Sequence, residues 1–205
     1  MKTDRIYVDS SGAGREDALS EMERFADYLE LSKKSRLHLR LLTEELLGMV
    51  SEIGGGFSAG FWAENDGKKC LICLEAEVNK MSTEKREALI SVSTSGKNAA
   101  VKGVMGKLKN LMELYWLGYK ETVEGSTGID FTGYTGIAMS SMSAPRTSMN
   151  WKLSDYRDEL ERQKDNERIE AWDELEKSIV ANIADDISVG IKGENVRFVI
   201  TKSFD

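Results

Sequence analysis

The chain contains one proline, one histidine and two cysteines among 205 residues, and its basic side chains are outnumbered by acidic ones. With His38 as the sole histidine, a His-dependent triad would rest on one residue, and no Gly-x-Ser-x-Gly supports it. Cys70 and Cys73 are too few for a disulfide framework or a four-ligand zinc site, and they are expected to be reduced in a cytoplasmic setting. Their Cys-x-x-Cys spacing falls on a strand-like run, where residues three apart point to opposite faces. No apolar run approaches bilayer length, so no membrane partner is expected. "MKTDRIYVDS" opens with charges and no apolar core, which does not read as a secretory signal. The formal charge of -7, from 28 basic and 35 acidic residues, argues against a general polyanion binder. Nucleic acid is therefore not an expected partner, although a local basic patch can still hold a single nucleotide.

The remaining composition is 40% apolar and 31% charged, ordinary for a soluble globular chain that forms one sizeable domain over 1–205. "RIYVDS" (5–10) reads as a strand and "SGAG" breaks it. Leu19, Met22, Phe25, Ala26 and Leu29 then recur at helical spacing. Ser32 or Ser35 can cap a second helix running to about Ile53, with Leu39, Leu42, Leu46, Met49, Val50 and Ile53 as its apolar face. "GGG" at 54–56 terminates it. "FSAGFWA" and "KKCLICLEAEV" read as a hairpin turning at "ENDG", because glycine takes the positive φ such a turn needs.

A short helix is expected near "STEKREALISV", capped by Ser82, and another over about 98–117. Residues 118–150, rich in Gly, Ser, Thr and Met, read as a mobile lid or an inserted segment that docks by its apolar residues. A charged helix is expected from Trp151, with Trp172, Leu175, Ile179 and Ile183 at core spacing, so that loop and helix insert at about 118–184. "ISVGIKGENVRFVITK" reads as a closing hairpin around "GEN". The pattern predicts an α+β two-layer sandwich, a mixed, mostly antiparallel sheet with helices on one face.

Two stretches carry candidate chemistry. In "STSGKNAAVKG" (93–103) a glycine-containing turn opens a helix, so free backbone N–H groups, Lys97 and Lys102 suit a phosphate. It is not a Walker motif, and a plain helix cap with Gly103 and Gly106 packing closely is an equal reading. In "LLTEELLGMV" (41–50), Glu44 and Gly48 lie one turn apart on a stripe with Leu37, Leu41 and Ser51. Glycine inside a helix costs about 1 kcal/mol relative to alanine, which suggests that something approaches that face. His38, in "HLRLL", reads as a surface or boundary histidine.

Taken together, strand, two helices, hairpin, helical lid region and final hairpin resemble the histidine-kinase-like (GHKL) ATPase fold, most of all the bacterial anti-sigma-factor serine kinase branch. "LLTEELLGMV" is similar to that branch's "SEAxTNAV"-type helix, and "GENVRFVITK" to its closing strand. "SGKNAAVKGVMGKLKNLM" is similar to the lid and following helix. The resemblance covers most of 1–117 and 187–205. It implies an ATP-binding regulator with a protein partner and weak or no kinase or ATPase activity. It places Glu44 as general base, and Ser95, Gly96, Lys97, Asn98, Lys102 and Gly103 at the phosphates. Gly48 falls on the asparagine that ligates Mg²⁺ and supplies no such ligand. Asn79, in "NKMST", stands where the family's Asp-x-Gly-x-Gly reads adenine. The alternative is an interaction module that kept the scaffold and lost nucleotide binding. Its partner surface would be the loop of 118–150 with the charged helix.

Overall fold

A computed structural model describes residues 1–52, 58–77, 148–162, 178–192 and 195–204. Strand β1 (Ile6–Asp9) leads into helices α1 (Arg15–Tyr28) and α2 (Lys33–Glu52). The hairpin β2 (Ser58–Asp66) and β3 (Lys69–Glu77) follows, then β4 (Ser148–Lys152), α3 (Leu153–Arg162) and α4 (Ile179–Ile183). β5 (Asp186–Lys192) and β6 (Asn195–Ser203) close the chain. The sheet order is β1-β2-β3-β6-β5-β4, and all five pairings are antiparallel. This is the expected α+β sandwich, with no parallel pair among the described strands.

Strand alternation sorts side chains onto two faces. One row, Ile6–Phe61–Leu74–Phe198–Val189–Trp151, crosses all six strands in register. Phe61, Leu74, Phe198 and Val189 are fully buried, and α2 contributes Leu39, Leu42, Leu46, Met49 and Val50 to the same core. α1 adds Ala18, Met22, Phe25 and Ala26. Each fully buried Leu or Phe contributes about 1.5–3 kcal/mol. The single buried polar group of α2, Thr43, donates its hydroxyl to the Leu39 carbonyl at 2.8 Å, so it costs the core little.

Local chemistry sets the ends. Ser32 caps α2: its hydroxyl accepts from the Ser35 N–H at 3.2 Å, one of the two serines anticipated for this role. Gly67, at φ 64°, turns the β2–β3 hairpin as expected. Before α1, the Asp9 carboxylate accepts from the N–H groups of Ser11 (2.8 Å) and Ala13 (3.2 Å), which folds the turn back on itself. Gly14, at φ 73°, lies so close to β1 that a Cβ there would overlap the Tyr7 carbonyl oxygen.

Two expectations are corrected. The helix anticipated from Trp151 starts at Leu153, because residues 148–152 pair with β5 as an edge strand. Trp151 is buried beside Tyr156 while Asn150 and Lys152 are exposed, a period of two and not 3.6. In α4 the buried residues are Val180 and Ala181, whereas Ile179 is exposed. Gly54–Gly56, the helices expected near 82–92 and 98–117, Trp172, Leu175 and the segment up to 147 lie outside the described residues.

Gly14→Ala is expected to destabilise the protein by at least about 2 kcal/mol, from left-handed strain plus collision with β1. Gly12→Ala, equally left-handed at φ 93° but in open space, should lose less. Urea melts of the two variants compare them directly; equal losses would mean that the packing against Tyr7 contributes nothing.

Candidate functional site

The rotation of α2 follows from its leucines. With Leu39, Leu42 and Leu46 turned to the sheet, 3.6 residues per turn puts Glu44 and Gly48 on the outward side. Glu44 is half-buried there, and the Arg40 Nε donates to its carboxylate at 2.9 Å, an i,i+4 pair. The same Arg40 guanidinium reaches across to Glu23 of α1. One turn earlier Arg36 donates its Nε to the Leu31 carbonyl at 2.9 Å and pairs with Asp27. These two ion pairs span a groove of about 270 Å³ between α1 and α2, floored by Leu19, Met22 and Ala26 and edged by Leu37. Leu37 is exposed.

Glu44 is thus one end of a Glu23–Arg40–Glu44 chain, with its carboxylate already accepting a guanidinium N–H. A general base needs a free lone pair aimed at the acceptor proton. Gly48 sits one turn on, and a Cβ built there meets no atom within 4 Å. The approach of another segment expected at this glycine is thus absent among the described residues, and Gly48 brings no side-chain donor to a magnesium ion, so the pair supplies at most the Glu44 carboxylate. Asn79, Ser95, Gly96, Lys97, Asn98, Lys102 and Gly103 lie outside the described residues. Among the described residues, no three His, Cys, Asp or Glu side chains converge as a metal site.

The cysteines point to opposite faces of β3. Cys70 is in the helix-covered core, where burial pushes its thiol up to about 12. Cys73 is buried on the other face and also raised, first by burial, with the Arg197 guanidinium opposing. Neither is a ready thiolate near neutral pH. His38 is half-buried on α2; burial and then the nearby Lys202 and Lys34 hold its imidazole below the ordinary value. Lys202 is itself paired with Asp185 at 3.0 Å.

A second meeting of charges was not anticipated from sequence. On the outer sheet face, Lys2 Nζ and the Arg5 and Arg197 guanidiniums lie 4.7, 5.0 and 5.5 Å from the Trp62 ring centre. The indole N–H donates to Glu64 at 2.6 Å, which, with Lys2, holds that carboxyl below the usual range. The Arg40–Glu44 pair carries a readable i,i+4 signal, whereas Glu23 and the Trp62 cluster come from distant segments with no local signature.

No family model, curated protein or solved structure matches the chain. Among the described residues no helix is long and apolar enough to cross a membrane.

His38 gives a pH prediction. Its folded value is lowered, so the unfolded chain binds more protons and stability falls as pH falls. This contribution is fully present above the unperturbed 6.5 and is lost as pH drops through the folded value. Thermal melts between about pH 8 and 5 should therefore show a decline that His38→Gln flattens; an identical profile in the variant would remove His38 as its source.

Proposed function

We propose that the chain is a regulatory protein on a histidine-kinase-like ATPase scaffold, whose output is binding and not phosphoryl transfer. The observation that carries this reading is the Arg40 guanidinium on the Glu44 carboxylate, one turn from a glycine without a metal donor. Phosphoryl transfer is mostly positioning and charge neutralisation, and it needs both a poised acceptor and a cation at the phosphates. Arg40 holds one oxygen of the carboxylate, and Gly48 cannot recruit the cation. Binding requires neither.

The order of elements supports the scaffold. A strand, two helices, a hairpin and a closing hairpin whose last strand inserts beside β3 give the antiparallel layer that such a domain needs. ATP is the ligand this scaffold would hold, with "SGKN" and its lysines at the phosphates. A protein partner receives the output.

The second reading, an interaction module without nucleotide, draws on the exposed Leu37 at the edge of the α1–α2 groove. Beside the groove floored by Leu19, Met22 and Ala26, the Leu37 side chain offers an apolar contact point.

Calorimetric titration with ATP, with and without Mg²⁺, separates the two. On the nucleotide reading, affinity changes less than about threefold with Mg²⁺, because Gly48 supplies no ligand to the metal. Absence of heat and of thermal shift at about 1 mM ATP would leave the interaction module. Glu44→Gln is expected to leave ATP affinity and any residual hydrolysis unchanged. A collapse of turnover in that variant would reinstate Glu44 as the base and overturn the proposal.

A further inference from the structure

The outer face of the sheet carries an unbalanced cluster. Trp62 is only 4% exposed, with three cations over its ring and no helix of the described residues on this face. Two of them are neutralised: Lys2 pairs with Glu64 at 3.1 Å and Arg5 with Glu75 at 2.8 Å. The third is not. Arg197 stands directly opposite Glu75 in the β3–β6 register, yet the Arg5 Nη1 holds that carboxylate. Arg197 is exposed and lies against the Trp62 ring and the Cys73 thiol; its charge also acts on Glu64, but among the described residues no carboxylate stands within ion-pair distance of it.

The register also leaves Arg197 an open side. Its neighbour on β5 is Gly190, where a Cβ would meet nothing within 4 Å. A planar guanidinium resting on an aromatic ring, bonded to a thiol and in no close ion pair with a described carboxylate, can take a bidentate carboxylate. Lys2 and Arg5 are each more than half exposed, so both can turn towards the same incoming charge.

We infer that the Trp62–Arg197 cluster is a docking site for an acidic peptide segment, with a Glu or Asp side chain of the partner entering beside Gly190 to pair with Arg197. The added carboxylate brings the charges around the ring into balance, which is the complementarity that selects an acidic occupant over a basic one. Exposed ion pairs are individually weak, at about 0–1 kcal/mol, so the site works through several acidic side chains along one strand-like segment and not through one. The site does not depend on nucleotide.

The test uses the full chain without nucleotide and follows the Trp62 indole N–H resonance, assigned by its disappearance in Trp62→Phe. A hexaglutamate peptide at constant ionic strength should shift it saturably, and a hexaglutamine peptide should not. Arg197→Gln should weaken the hexaglutamate response about three- to fivefold with an unchanged melt. If Arg197→Gln fails to fold, Arg197→Lys is read in its place: it keeps the charge, loses the fork and should bind more weakly than the native chain. The inference is overturned by no shift with hexaglutamate, by variants that bind as tightly as the native chain, or by inorganic phosphate binding as tightly as the peptide. The last result would mark a small-anion site.

Discussion

Everything in this molecule is keyed to one apolar row, Ile6–Phe61–Leu74–Phe198–Val189–Trp151, which runs across the sheet from edge to edge. Because side chains alternate, sliding any one strand by a single residue would withdraw its member of the row from the core and present the residue of the opposite face instead. The row thus fixes every register at once, and it gives α2 a surface on which its leucine stripe can settle in only one rotation. Helix and sheet define each other: the strands need a cover for Phe61 and Phe198, and α2 needs burial for Leu39, Leu42 and Leu46.

That rotation decides the chemistry open to α2. A side chain directed at the sheet would be buried and desolvated, whereas Glu44 and Gly48 fall on the far side, where water and α1 compete for them. Glu44 meets Arg40 there because four residues of helix bring them together. Arg40 is in turn drawn towards Glu23, because α1 folds back alongside α2 after the short turn capped by Ser32. An ion-paired carboxylate at a half-exposed helix surface is a fastening between two helices. It contributes little stability by itself.

Much of the architecture was legible from the residues. The period-two runs of β2, β3, β5 and β6, the Asp-Gly turn and the serine cap are local signals with local causes, and they hold in the structure. The strand at 148–152 was not legible, because five residues ending in Trp-Lys fit the start of a helix equally well until β5 offers them a partner. Ile179 shows the same limit: helical spacing alone put it in the core, but the short α4 turns Val180 and Ala181 inward instead. Of the candidate site, the i,i+4 relation of Arg40 to Glu44 was available in sequence. The crossing to Glu23, and the gathering of Lys2, Arg5 and Arg197 on Trp62, depend on which strands become neighbours.

The outer cluster follows from the same register as the core. β6 alternates Val196, Phe198 and Ile200 inward with Arg197 and Val199 outward, so the residue that faces Trp62 is fixed by the residues that face α2. Lys2 and Arg5 come from the beginning of the chain and Arg197 from its last strand, and β6 lies in the middle of the sheet, not at its edge. The three cations meet only when β1, β2, β3 and β6 are all in place, which makes the cluster a property of the assembled sheet. A partner that recognises it therefore binds the native state alone. By mass action, such a partner at 100 times its Kd adds about 2.7 kcal/mol to native stability. Binding on the outer face thus tightens the core beneath it, and β6 is the physical link between the two faces.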